Sequence, residues 1–307
     1  MTVVGAYAAK TDTGRKRRRN EDAFVLAPPL FAVADGMGGA QAGEVASKLA
    51  AAALEDTDPG RLTGPERVAS LIQEANRRVH ERSSVDPATS GMGTTMTVAL
   101  VESDGVVIGH VGDSRAYLVR GREIEQITED HSLVNELLKT GKLSPEEAET
   151  HPQRSVITRA VGTDPDVDVD SFIVDTQDGD VFLICSDGLT DMVDDEHILA
   201  TVERYRGNLE SLTKQLVTAA NRGGGEDNIT VVAFSIGERD GGADLGDTAT
   251  MQAVSLPVDD ETKEDVTVRA SSNVSLAESS AVRVRVVLAT LVLLAIVVSL
   301  LIWGLMR

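Results

Sequence analysis

The chain has 307 residues, a formal net charge of −20, an apolar fraction of 42% and one cysteine. This length allows one large domain or two small ones with a sizeable core. The acidic balance argues against a general nucleic-acid-binding protein, which needs a basic face. The lone Cys185 excludes an internal disulfide, and residues 1–14 lack the apolar run of a secretory signal, so we expect a cytoplasmic main domain.

Hydrophobic periodicity predicts strands and helices along residues 3–236. The predicted strands are Val3–Ala9, Leu30–Ala34, Thr94–Val101, Val106–Val111, Ala116–Val119, Val167–Val174, Val181–Ser186 and Ile229–Ile236. The predicted helices are Gln41–Leu54, Pro65–Arg82, Ser132–Thr140, Pro145–Thr150, Asp194–Arg204 and Leu209–Arg222. Short turns within residues 94–119 predict an antiparallel meander. Antiparallel strands interspersed with helices indicate a layered α+β fold.

A short apolar run, Leu30–Ala34, ends on Asp35 and a cluster of glycines. The strand would present Asp35 exposed at its end, with the Gly36 carbonyl beside it, because glycines let a backbone turn tightly and approach a ligand. Such oxygen ligands suit a hard cation such as Mg²⁺ or Mn²⁺. An isolated Asp-Gly pair, however, is usually only a turn.

The same arrangement recurs at three distant positions. Asp113 and Asp187 each follow an apolar strand, and Asp227 directly precedes one. Clustered carboxylates repel each other and raise each other's pKa unless a cation lies among them. Convergence of these four carboxylates therefore predicts a site for more than one metal ion.

A run of five cations, Arg15–Arg19, precedes Asn20-Glu21-Asp22. Such a run is usually a solvated surface, and it also fits a nucleic-acid or anionic-lipid patch. A narrower alternative is that one arginine clamps a phosphate oxygen through bidentate hydrogen bonds.

The composition changes after Gly237. Residues 238–281 are rich in small and acidic residues and are expected to form a disordered linker. Val286–Met306 is almost wholly apolar and spans roughly 31 Å as a helix, which matches a hydrocarbon core. Two arginines before this run and one after it favour a cytoplasmic main domain. The predicted divisions are a main domain 1–237, a linker 238–281 and a single-pass cell-membrane anchor 282–307.

A series of short motifs, each weak alone, occurs in a distinctive order. They are Thr11-Asp12-Thr13-Gly14 with Arg17 and Asn20-Glu21-Asp22, Asp35-Gly36-Met37-Gly38-Gly39, Gly93-Thr94-Thr95, Gly112-Asp113-Ser114-Arg115, His151-Pro152-Gln153-Arg154, Arg159-Ala160-Val161-Gly162, Ser186-Asp187-Gly188-Leu189 and Glu226-Asp227-Asn228. Together they make residues 1 to about 236 resemble the type 2C metal-dependent protein phosphatases, especially bacterial members. The resemblance implies a four-layer αββα sandwich of two antiparallel sheets flanked by helices.

The resemblance also implies hydrolysis of phosphoserine and phosphothreonine by a water that two metal ions, Mn²⁺ or Mg²⁺, activate. The implied metal ligands are Asp35, the Gly36 carbonyl, Asp187 and Asp227, with Asp113 and Asp187 holding a weaker third ion. The implied catalytic residues are Arg17, which binds phosphate, and Glu21 and Asp22, which order metal-bound waters. Residues 145–155 match a flap beside the site. The expected partners are phosphorylated proteins, including bacterial Ser/Thr kinases, and the membrane.

The chain departs from many eukaryotic relatives at Met37, where they carry a histidine proposed as the general acid. Methionine cannot donate a proton. The resemblance to bacterial relatives with the same Gly-Met-Gly-Gly sequence implies activity. A metal-bound water held by Glu21 or Asp22 is one candidate for the proton donor, and the sequence leaves the identity of the general acid open. The alternative is a catalytically silent sensor or docking module on the same fold. Loss of a metal carboxylate would favour that alternative, and the sequence retains all of them.

Overall fold

The computed structural model describes residues 2–38, 42–57, 60–149 and 151–237. The strands are β1 Val4–Asp12, β2 Asp22–Ala27, β3 Leu30–Met37, β4 Gly93–Thr94, β5 Met96–Glu102, β6 Gly105–Val111, β7 Arg115–Arg120, β8 Glu123–Gln126, β9 Asp170–Val174, β10 Val181–Cys185 and β11 Ile229–Ile236. The helices are α1 Ala42–Asp56, α2 Gly64–Val85, α3 Leu133–Lys139, α4 Pro145–Glu149, α5 Asp187–Thr190, α6 Asp195–Tyr205 and α7 Leu209–Gly223.

The strands form two antiparallel sheets. The first sheet has the order β1-β11-β10-β7-β8, and the second has the order β2-β3-β5-β6-β9, with β4 paired to β3. Helices α6 and α7 pack on the outer face of the first sheet, and α1 and α2 pack on that of the second. This arrangement confirms the predicted α+β sandwich of two antiparallel sheets flanked by helices.

Alternation along the strands builds three apolar layers. In β3, Phe31 and Val33 point between the sheets, whereas Ala32 and Ala34 point toward α1. The rings of Phe31 and Phe182 stack on Phe234 between the sheets, at centroid distances of 4.3 and 5.1 Å. Because successive side chains of a strand face opposite sides, each strand contributes to two layers. Its side chains pack against the other sheet on one face and against the helices on the other.

The predicted meander over residues 94–119 is wrong at its second turn. Strands β5 and β6 do pair, but β7 belongs to the other sheet, where it pairs with β10 and β8. The crossing occurs at Gly112, whose φ of +111° is one that residues with a side chain rarely adopt. A hydrogen bond between the hydroxyls of Thr95 and Ser114, and one from the Thr97 hydroxyl to the Ser114 carbonyl, hold the crossing segment. A short turn can join two strands of the same sheet or two strands that belong to different sheets, and the local sequence does not distinguish these cases.

Three short elements, β2, β8 and α5, were not predicted, and β3 runs three residues further than expected. Asp35 therefore lies inside a strand and is half-buried, where an exposed strand end was predicted. The strand continues because β4 pairs with it, Gly36 opposite Thr94 and Met37 opposite Gly93.

The predicted linker 238–281 and membrane anchor 282–307 lie outside the described residues. Within the part of the chain that the structure covers, no helix is both long and apolar enough to cross a bilayer.

Candidate active site

The strand register brings the distant acidic motifs together at one end of the sandwich, where the strands of both sheets begin or end. In the second sheet, Asp22 at the start of β2 pairs with Asp35 in β3. In the first sheet, Cys185 at the end of β10 pairs with Arg115 and with Val231. The segments that carry Asp113, Asp187 and Asp227 therefore lie at that same end of the sandwich. The predicted convergence of the carboxylates thus follows from antiparallel pairing.

Two threonines fix the backbone of Asp35. The Thr95 hydroxyl accepts the Asp35 N–H at 3.0 Å, and the Thr95 N–H donates to the Asp35 carbonyl at 2.8 Å. The Thr94 hydroxyl donates to the same carbonyl at 2.8 Å. Because both backbone polar groups of Asp35 are satisfied, its carboxylate leaves the strand in a fixed direction. This is the physical role of the Gly93-Thr94-Thr95 motif.

Asp22 connects the two sheets. One of its carboxylate oxygens accepts hydrogen bonds from the Thr230 hydroxyl at 2.6 Å and from the Ser186 hydroxyl at 2.9 Å. Ser186 precedes Asp187, and Thr230 lies in β11, so this buried carboxylate joins β2 to the segments that carry two further candidate ligands. Asp22 is not among the residues that line the cavity described below.

Asn228 holds the basic loop against the start of β11. Its side-chain amide donates to the carbonyls of Thr13 at 2.9 Å and Arg19 at 2.8 Å, and its oxygen accepts the Glu21 N–H at 2.7 Å. Gly14, with φ of +77°, passes so close to Asp227 that a Cβ there would lie 2.1 Å from the Asp227 carbonyl oxygen. Only glycine fits this approach.

Arg17 lies at the site and is engaged with carboxylates. Its guanidinium donates to Asp227 at 2.6 Å and lies 3.6 Å from Glu21. The side chain remains 48% exposed, so its other N–H groups face solvent on the cavity side. The sequence prediction of a phosphate-binding arginine is compatible with this position.

His131 supports the crossing segment before Asp113. Its Nδ1 accepts the Gly112 N–H at 3.0 Å, and its Nε2 lies 3.1 Å from an Asp170 oxygen. These two contacts fix the geometry of the loop. Cys185 is a fully buried core residue, and burial raises the pKa of its thiol to about 12.

A cavity of about 800 Å³ opens at this end of the sandwich. It is lined by Arg17, Arg18, Arg19, Glu21, Asp35, Gly36, Met37, Gly38, Thr95, Asp113, Ser155, Ile157, Asp187, Asp191 and Asp227. Every predicted metal-site residue is in this set, together with Glu21, Arg17 and the end of the predicted flap. Asp191 is a further lining carboxylate that the sequence analysis missed, although it lies one helical turn after Asp187.

The carboxylates raise one another's pKa. Burial, and then the charges of Asp22 and Asp187, raise the pKa of Asp35 well above its ordinary value. Burial, and then the charges of Asp113 and Asp227, do the same for Asp187. Burial also raises the pKa of Asp113 to about 6, with the charge of Asp130 as the next cause. Ionising these groups together is costly without a positive charge among them.

Two carboxylate oxygens show that the site fits a cation. Asp22 Oδ1 and Asp187 Oδ1 are buried and have no hydrogen-bond partner, which is expensive for a charged group. Among the described residues, no group of three His, Cys, Asp or Glu side chains has the spacing of a complete metal cluster on its own. Carbonyl and water oxygens complete many Mg²⁺ and Mn²⁺ sites, and Gly36, whose carbonyl is a predicted ligand, lines the cavity.

Comparison with known proteins decides the family. The family model described as Protein phosphatase 2C matches residues 14–221. The chain belongs to the protein phosphatase 2C family. The serine/threonine phosphatase stp of Listeria monocytogenes, a relative, is 42% identical over 234 residues, which are 73% of this chain and 92% of that protein. The serine/threonine protein phosphatase PstP of Mycobacterium tuberculosis is 38% identical over 263 residues, which are 85% of this chain and 50% of that protein.

Solved structures agree with this membership in the protein phosphatase 2C family. The crystal structure of Mycobacterium tuberculosis PstP/Ppp has a TM-score of 0.71 and 40% identity, and the match covers 76% of this chain and 99% of that one. A PstP catalytic domain in complex with two manganese ions has a TM-score of 0.68 and 37% identity, covering 76% and 98%. These findings confirm the predicted fold and membership in a family of metal-dependent serine/threonine protein phosphatases.

Proposed function

We propose that this chain hydrolyses phosphoserine and phosphothreonine in proteins, with two divalent ions, Mn²⁺ or Mg²⁺, in the carboxylate-lined cavity. The observation that carries the proposal is the buried, unpartnered oxygen of Asp187 within a wall of mutually repelling carboxylates, with a second such oxygen on Asp22 behind that wall. Asp35, Asp187, Asp227 and the Gly36 carbonyl would hold the two ions, and Asp113 with Asp187 a weaker third. When bound, the ions supply a water of lowered pKa and positive charge for the transferring phosphoryl group.

The remaining residues bind and orient the substrate. Arg17 offers a planar set of N–H donors that matches phosphate oxygens. Glu21 lines the cavity and would orient the water that returns a proton to the departing serine or threonine oxygen. Asp22 acts from behind the cavity wall by fixing the segments around Asp187 and Thr230. Met37 lines the cavity and contributes no proton.

The expected substrates are phosphorylated proteins, and Ser/Thr kinases are the proposed partners among them. The apolar run Val286–Met306 supports a single-pass cell-membrane anchor over residues 282–307, which would keep the phosphatase domain cytoplasmic and near membrane-bound kinases. Fractionation of cells that express the full chain, or the chain without residues 282–307, tests this location. The full chain is expected in the membrane fraction and the shortened chain outside it.

The activity is tested with the purified full chain and a phosphothreonine peptide. We expect phosphate release with Mn²⁺ and its loss after EDTA, with recovery when Mn²⁺ is returned. Turnover that EDTA leaves unchanged would contradict the proposed metal dependence. Absence of turnover with either ion would instead favour a silent docking module.

A further inference from the structure

The proposed chemistry uses only Arg17 of a basic segment beside the cavity. We call residues Arg15–Arg19 the basic rim. Arg17, Arg18 and Arg19 line the cavity, whereas Arg15 and Lys16 do not. The rim is a local excess of positive charge on a chain whose net charge is −20.

The three cavity-lining arginines differ in their contacts. Arg17 is paired with Asp227 at 2.6 Å, and Arg19 lies 3.7 Å from Glu44. The side chain of Arg18 is exposed and makes no ion pair or hydrogen bond with any residue in the described ranges. Arg18 is therefore a guanidinium at the cavity mouth whose donors remain available to a ligand.

The backbone holds Arg18 in place beside Arg17. The N–H groups of Arg15 and Lys16 donate to the Gly225 carbonyl at 2.7 and 3.2 Å, and the Arg19 carbonyl accepts from Asn228 at 2.8 Å. The loop is thus anchored before and after Arg18. Consecutive Cα atoms lie about 3.8 Å apart, and an extended peptide advances about 3.3–3.6 Å per residue. Since Arg17 and Arg18 are adjacent and both line the cavity, a peptide whose phosphate is bound by Arg17 can place a nearby anionic side chain against Arg18.

We propose that Arg18 is a specificity-determining residue that binds an anionic side chain, acidic or phosphorylated, within two residues of the phosphoamino acid being hydrolysed. This inference rests on the proposed function. Two carboxylates of the cavity wall, Glu21 and Asp191, are outside the proposed metal-ligand set and repel such a neighbour, so Arg18 offsets that repulsion where the substrate enters. The guanidinium suits either ligand, because it donates paired hydrogen bonds to carboxylate and phosphate alike.

Steady-state kinetics of the full chain with Mn²⁺ test this role on three phosphothreonine peptides of equal length. One has neutral neighbours, one has aspartate at both flanking positions, and one has a second phosphothreonine two residues away. For Arg18→Ala we expect the ratio of kcat/KM between each anionic peptide and the neutral one to fall about threefold to fivefold, through a higher KM. Arg18→Lys should restore much of the ratio for the aspartate peptide. Lys16→Ala is the control, since it removes one charge from the same loop outside the cavity lining.

An unchanged ratio in Arg18→Ala, an equal loss on all three peptides, or the same effect in Lys16→Ala would overturn the proposal. A fall for the doubly phosphorylated peptide alone would assign Arg18 to phosphate and exclude carboxylate as its ligand. An unchanged ratio together with weaker binding to phosphatidylserine vesicles would assign the rim to the membrane and overturn the proposal. Failure of the wild-type chain on the neutral peptide would instead count against the proposed function.

Discussion

Arg17 shows how much depends on the shape of one charged side chain. Its guanidinium reaches Asp227 and Glu21 at once, while about half of the side chain stays exposed toward the cavity. A lysine would keep the charge, but it lacks the planar set of donors that engages two oxygens of one group.

Arg17→Lys is therefore expected to lower kcat/KM on a phosphothreonine peptide about tenfold to a hundredfold, since one or more charge-assisted hydrogen bonds to phosphate are lost. Steady-state kinetics with saturating Mn²⁺ measure the effect. Arg122→Lys is the control, because Arg122 is 93% exposed and is not among the cavity-lining residues. Equal activity of Arg17→Lys and the wild type would remove Arg17 from the substrate site.

The short strand β4 and the residue after it position Asp35. Thr94 and Thr95 bind both backbone polar groups of Asp35, and the Thr95 hydroxyl also lies 2.7 Å from the Ser114 hydroxyl beside Asp113. One threonine thus connects the backbones that carry two candidate metal ligands.

Thr95→Val removes this hydroxyl at nearly constant volume. Thr95 is buried, so we expect a loss of about 1–3 kcal/mol in the free energy of unfolding and a weaker response of activity to Mn²⁺. Urea unfolding in EDTA and activity at several Mn²⁺ concentrations measure the two effects. Thr95→Ser keeps the hydroxyl and should retain the metal response. If Thr95→Val and Thr95→Ser respond alike to Mn²⁺, the hydroxyl does not position the site.

Elements with a clear periodic pattern could be predicted from sequence, and β11 has the predicted bounds of Ile229–Ile236. The crossing after β6 could not, because the choice between pairing in one sheet and crossing to the other depends on the partner strands β8 and β10. Strand β8 is short and half-exposed, and Ile124 is the only apolar residue among its four, so its hydrophobic pattern is weak. Helix α5 has four residues, too few for periodicity.

At the scale of the whole molecule, the site lies where the strand ends of both sheets meet. Recurrence of an aspartate beside a glycine after an apolar strand was enough to predict the convergence of Asp35, Asp113 and Asp187, because antiparallel pairing brings such strand ends together. The bonds of Asp22 to Ser186 and Thr230, and the position of Asp191, required the tertiary structure, because they depend on which residues face one another across the sandwich.

This position couples metal binding to the stability of the fold and to pH. Burial raises the pKa of Asp22 and of Asp113 from 3.8 to about 6. A carboxyl whose folded pKa is raised favours the folded state while it is protonated, and this contribution is lost as pH rises through about 6. In EDTA the two groups should therefore lower the free energy of unfolding between pH 4 and pH 7, by up to about 3 kcal/mol each.

Mn²⁺ requires ionised ligands, so its stabilising effect should increase over the same range. We expect the rise in Tm on adding Mn²⁺ to be larger at pH 7 than at pH 5, by about 4 °C or more. Thermal unfolding with Mn²⁺ and with EDTA at the two pH values measures this difference. Groups far from the site affect the Tm equally with Mn²⁺ and with EDTA, so their titration does not contribute to it. An equal or larger rise at pH 5 would contradict the assignment.

The most direct test of the central claim is the rate of phosphate release by Asp35→Asn in Mn²⁺, compared with the wild type and with Asp178→Asn. Asp35 is the half-buried cavity residue whose carboxyl pKa is raised by burial and by the other aspartates, whereas Asp178 is an exposed residue that does not line the cavity. We expect Asp35→Asn to lose at least about a hundredfold in kcat/KM, because a neutral amide is a poor ligand for a hard cation, and Asp178→Asn to match the wild type. Undiminished release by Asp35→Asn would contradict the claim that these carboxylates hold the metal ions.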